Sequence, residues 1–212
     1  MPSEFDPKFD PKKDLLKEKN LWQIYMGCRK LPRNKFNTIG IILTFLLLLA
    51  YTIFSPNPVN ILATQVRDWA DIGINFASSI LGFLLAGFTI SATVTKPNLL
   101  VAMSRIKHES CGLSYLKYNY FSLIEVFIYY LVFVAVCLAV KIFGAPNGLL
   151  SNILVYLPDQ LAWVKHLIVA LGLIFIGTGF FYLILILKSF IFNVYHFVMT
   201  GVRWEMENID NE

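Results

Sequence analysis

Four long apolar stretches, residues 36–54, 72–95, 121–140 and 167–187, leave this chain few ways to fold. Each runs to about 20 residues, enough helix to cross the ~30 Å hydrocarbon core of a bilayer. A segment at that depth has no water to satisfy its backbone, so it closes its own hydrogen bonds as a helix. The expected fold is all-α, an integral membrane bundle of four transmembrane helices. At 212 residues and 57% hydrophobic, the chain is richer in apolar residues than soluble domains, which hold about 45–50%. Spans and short connections fill most of it, leaving no room for a separate soluble catalytic domain.

The formal charge of +4 is informative by position. Nine basic residues precede the first span: Lys8, Lys12, Lys13, Lys17, Lys19, Arg29, Lys30, Arg33 and Lys35. The connection between spans two and three adds Lys96, Arg105, Lys107 and Lys117, against only Arg67, Lys141 and Lys165 in the other two connections. The positive-inside rule therefore predicts cytoplasmic termini and a cytoplasmic middle loop. Positive charge flanking membrane spans points to anionic lipid of the inner leaflet rather than to nucleic acid. Three regions are expected: a basic leader with an amphipathic helix at 1–35, the four-span domain at 36–200, and an acidic cytoplasmic tail at 201–212.

The first span is expected to stay in the mature protein, because its charged leader is long and Tyr51-Thr-Ile-Phe-Ser-Pro has no small-x-small cleavage site. The chain has no Asn-x-Ser/Thr sequon. Cys28, Cys111 and Cys137 imply no structural disulfide. Cys28, near the membrane, reads as a free reduced thiol, with acylation as the alternative. Residues 1–12 carry a duplication, Phe5-Asp-Pro-Lys and Phe9-Asp-Pro-Lys, whose prolines predict an extended segment. Amphipathic surface helices are expected near 13–30, 98–108 and 149–157, and the fourth helix is expected to continue to about residue 200.

Two groups of residues invite a functional reading. Ser79, Gly82, Ala86, Thr89 and Thr93 follow one another at steps of 3, 4, 3 and 4, a spacing that keeps one narrow seam on one side of a helix. Small residues let helix backbones approach closely, and hydroxyls can bond across the contact. The seam therefore reads as a packing face, within one subunit or between copies, with Gly172 and Gly179 of span four as a candidate opposing surface. It also reads as a wettable pore wall. Continued outward, the same spacing reaches Asn75, Ile72 and Asp68, so an oligomer would set a ring of Asp68, with Asp71 beside it, at the outer mouth, and acidic rings favour cations.

The second group is Glu125, the acidic residue inside a span, whose charge at that depth demands a partner. Lys188 is the expected one, since both residues fall toward the cytoplasmic half of antiparallel spans. A structural ion pair, a gating or proton-linked role, and simple exposure near the interface are the readings.

The rest of the sequence carries no site chemistry. His108, His166 and His196 cannot meet, because His166 falls on the opposite side of the membrane from the other two, and His108-Glu-Ser-Cys111 has no second ligand pair. There is no phosphate-binding glycine loop and no nucleophile elbow, so no metal, cofactor or catalytic residue is expected. In size and layout the chain resembles the four-span subunits that bacteria encode beside soluble partners, some of them in antiphage systems. The resemblance covers architecture. The expected function is a non-enzymatic, homo-oligomeric subunit of the bacterial cell membrane. It senses or anchors there and docks a cytoplasmic protein. The alternative is a homo-oligomeric pore or cation channel lined by the span-two seam.

Overall fold

The computed structural model describes residues 10–109, 111–146, 148–155, 158 and 161–209. Among these, every regular element is a helix: α1 Pro11–Leu15, α2 Leu21–Cys28, α3 Lys35–Phe54, α4 Val59–Val94, α5 Pro97–Arg105, α6 Tyr115–Phe143, α7 Leu149–Val155 and α8 Ala162–Ile209. Four of them, α3, α4, α6 and α8, are long and apolar enough to cross a membrane. By length and composition the chain is a multi-pass membrane protein.

The leader departs from expectation. In place of one amphipathic helix over 13–30 there are two short ones, each with its own stop and start signals. Pro11 occupies the first turn of α1, where its missing N–H costs nothing, and the Asp10 side chain accepts from the Lys12 N–H. Asn20 caps α2 by accepting from the Gln23 N–H at 2.9 Å. Most of the Phe-Asp-Pro-Lys duplication lies outside the described residues. The fourth helix also runs further than expected, through Ile209, so the first part of the expected acidic tail is helical.

The chain forms two compact units, and α4, α6 and α8 each contribute to both. One contains residues 34–82 and 129–186. Its core is the face of α4 made by Leu62, Val66, Ala70, Gly73 and Ala77, together with Tyr130, Phe133 and Cys137 of α6 and Leu173, Ile176 and Leu183 of α8. Phe76, Phe133 and Phe180 stack obliquely, and Trp69 meets Phe180 edge-on at 6.2 Å. The buried Tyr130 hydroxyl donates to the Leu183 carbonyl at 3.0 Å. A Cβ added at Gly73 or at Gly179 would lie 2.9 Å from the Phe133 ring, so two glycines on different helices make room for one aromatic.

The other unit contains 1–33, 83–128 and 187–212. Leu99 and Met103 of α5 pack with Phe197 of α8, and Phe88 meets Tyr120 and Phe127 edge-on. Lys96 pairs with Glu205 at the surface of this unit. The leader belongs to this unit. Cys28 and Leu31 bury themselves against Leu113 and Phe121, with Ile24 and Tyr118 alongside.

Candidate functional site: the exposed seam of α4

Successive residues of a helix turn by about 100°, so side chains two apart stand on nearly opposite faces. On α4 that geometry separates two rows. Ala70, Gly73, Ala77 and Leu84 are buried, while Asp68, Ile72, Asn75, Ser79, Gly82, Ala86, Thr89 and Thr93 are all exposed. The eight exposed residues are the members of the 3-4 seam and its outward continuation. A Cβ added at Gly82 would meet nothing within 4 Å. The seam is therefore not a packing face within the subunit. That role belongs to the row behind it, Ala70, Gly73 and Ala77, which sequence reasoning missed. Their own spacing of three and four was the available signal.

The polar groups of the seam have mixed fates. Ser79 donates to the Asn75 carbonyl at 2.8 Å, Thr89 to the Leu85 carbonyl at 2.9 Å and Thr93 to the Thr89 carbonyl at 2.9 Å. Each hydroxyl proton is thus satisfied one turn back along its own helix, while the oxygen lone pairs keep their capacity to accept. Asp68 is exposed and makes no ion pair among the described residues. Asp71 instead pairs with Lys141 of α6 at 2.6 Å. Arg67, beside it, donates from Nε to the Gly144 carbonyl at 2.6 Å.

Gly172 and Gly179 do not oppose the seam. A Cβ on Gly172 would lie 3.5 Å from Val66, on the buried face of α4, and Gly179 faces Phe133 of α6. Gly179 packs tightly and Gly172 makes an ordinary contact, and the two face different neighbours. Glu125 is half-buried on α6 and Lys188 exposed on α8, and each is engaged by neighbouring groups. Glu125 lies close enough to Cys28 for its charge to act on the thiol.

A second constellation was not foreseen. The Lys117 ammonium, its side chain 6% exposed, lies 2.6 Å from Glu18 and 3.5 Å from Asp14. A cation taken out of water is costly unless its charge is matched, and here two leader carboxylates match it. Beside this clamp the Cys28 thiol donates to the Phe121 carbonyl at 3.4 Å. A Cβ on Gly27 would meet the Phe121 ring at 2.5 Å, so α2 approaches α6 closely because residue 27 has no side chain. Burial above all, with Glu125 and Glu18 adding negative charge, pushes the Cys28 thiol up to about 12. At 1% exposure it is closed to acylation in this conformation. Residue spacing gave no signal for the clamp, because Asp14 lies in α1 and Glu18 lies outside any helix.

No known family model matches the chain, and no curated protein or solved structure matches it.

Proposed function

We propose that this chain is a non-enzymatic membrane subunit that assembles with copies of itself through the α4 seam. Its termini lie in the cytoplasm of a bacterial cell, where the assembly docks a soluble protein, and antiphage defence is the setting its layout suggests. The observation that carries the reading is the exposure of the whole seam while the same helix buries its other face. Between transmembrane helices there is no hydrophobic driving force, so association rests on close van der Waals approach, and small residues permit it. Gly82 and Ala86 at the middle of an exposed face suit a second copy far better than they suit lipid tails.

Native mass spectrometry of the detergent-solubilised protein, with co-purifying chains preserved, tests it. A homo-oligomer carrying a stoichiometric soluble protein supports both halves of the proposal. A monomer at every protein concentration rejects the assembly, and an oligomer with no bound protein rejects the docking role.

One observation favours the pore as a second reading. Asp68 and Asn75 stand exposed on the same face as the small residues, and an amide left facing hydrocarbon, as Asn75 would be within its span, is costly. A water-filled path through an oligomer would relieve that cost. With Asp71 committed to Lys141, such a ring would carry one carboxylate per subunit. Bilayer recordings on Asp68→Asn test this reading: cation selectivity falls if the ring lines the path, and unchanged selectivity excludes it.

A further inference from the structure

We infer that the outer face of the leader is a docking surface for the anionic headgroups of a bilayer, held in register by the Lys117 clamp. The inference is independent of self-association, because it rests on different residues. Helix α2 has two apolar faces. Ile24, Gly27 and Cys28, with Leu31 just beyond the helix end, turn inward onto Phe121 and Leu113. Leu21, Trp22 and Met26 turn outward and are exposed, Trp22 by 68%, and Leu16 before them by 82%. The inward face and the Lys117 clamp hold the leader on α6, so the outward face is left over from folding.

Charge is sorted in the same sense. Asp14 and Glu18 are drawn in to Lys117, while Lys12, Lys13, Lys17, Lys19, Arg29 and Lys30 remain exposed. Asp10, the exposed carboxylate of this stretch, sits beside Lys13 at 3.8 Å. A leader of mixed charge thereby presents a basic exterior interleaved with Trp22, Leu21 and Met26. That combination is the chemistry of a bilayer interface: an amphipathic aromatic at headgroup level, aliphatic side chains below it, and ammonium or guanidinium groups against phosphate.

Position agrees with chemistry. The Cys28 thiol reaches the Phe121 carbonyl, and Phe121 lies six residues into α6, about 9 Å along a helix that is itself a candidate span. The outward face of α2 is therefore level with the first turns of a membrane helix. A soluble protein partner would have to compete for that level with the lipid beside it.

The test uses the full chain and two lipids, phosphatidylglycerol and phosphatidylcholine. Lys17, Lys19, Arg29 and Lys30, all exposed, are changed together to Gln. Native mass spectrometry then compares the lipid retained by wild type and variant, and maleimide protection of Cys28 reports whether the leader is still docked. We expect wild type to prefer phosphatidylglycerol and the variant to lose about tenfold or more of that preference with Cys28 still protected, in line with the attraction of each basic group to an anionic surface. In vesicles, brominated phosphatidylglycerol should quench wild-type tryptophan emission more than that of Trp22→Phe. This second measurement stands even if the charge variant undocks the leader. An unchanged lipid preference with Cys28 protected overturns the inference. So does equal quenching of wild type and Trp22→Phe, or a charge variant whose only change is a smaller oligomer, which would assign the face to a second copy.

Discussion

Substituting Gly82 by Leu separates the assembly of this protein from its folding. In the single subunit, the new Cβ would have no heavy atom within 4 Å. Replacing glycine in a helix interior gains about 0.5–1 kcal/mol of helix propensity, so subunit stability should hold or rise slightly. In an assembly closed through the seam, the same side chain is driven into the facing helix. Overpacking costs typically about 1–3 kcal/mol per site, and a two-fold interface suffers it twice, for about 2–6 kcal/mol. At about 1.4 kcal/mol per tenfold, the dissociation constant between copies should rise by roughly 30-fold at the low end. The assay is mass against protein-to-detergent ratio, run beside thermal unfolding in the same detergent. Gly179→Leu is the contrast, since its Cβ would lie 2.9 Å from Phe133 and should lower the unfolding temperature. An unchanged mass distribution for Gly82→Leu would refute the reasoning, as would a loss of thermal stability matching that of Gly179→Leu.

Four further outcomes are expected. Lys117→Met strands Glu18 and Asp14; breaking a fully buried pair costs about 3–5 kcal/mol, and because these carboxylates keep some solvent we expect about 2 kcal/mol, read as roughly 30-fold faster maleimide labelling of Cys28. Gly27→Val drives a side chain into Phe121 and should open the leader by a similar about 1–3 kcal/mol, seen in the same labelling rate. The raised Cys28 thiol also has a pH signature: its burial adds full stability below the ordinary value of 9.0 and loses it as pH rises toward about 12, because the unfolded chain releases its proton first. The difference in unfolding temperature between wild type and Cys28→Ala should shift against wild type across that window and stay constant below it. Tyr130→Phe removes a buried hydrogen bond at 3.0 Å and should cost about 1 kcal/mol, measured by thermal unfolding.

Much of the helical layout was readable from residues 36–54, 72–95, 121–140 and 167–187, because a stretch that must satisfy its own backbone in lipid has one local solution. The turns were readable for the same local reason. Pro56, Pro58, Pro97 and Pro146 fall between helices or at a first turn, where their fixed geometry is tolerated. The break within the leader was not foreseen, although Asn20 is a good cap; hydrophobic periodicity over 15–26 overrode that single polar signal. The length of α8 was underestimated because its polar end, from Asn193 onward, reads as an exit from the membrane, yet α5 gives Phe197 a surface to pack on.

The candidate site divides along the same line. The 3-4 spacing from Ser79 to Thr93 is a property of the chain. Whether that seam is covered is a property of neighbours: Ala70, Gly73 and Ala77 have spacing just as regular, and the sequence offers no reason to bury one row and expose the other. Packing made the choice, since Phe133 needs the room that Gly73 and Gly179 together leave. Lys117 shows the limit most clearly. As a letter in a basic loop it counts toward orientation; in three dimensions it is a buried cation held by Glu18 and Asp14, about a hundred residues away. Sequence alone determined that there are four apolar helices and where their charges fall, because both follow from local transfer energies. Which face of α4 lies open, and which leader charges face outward, were decided by long-range packing, since burial and charge pairing depend on residues that the chain brings together only by folding.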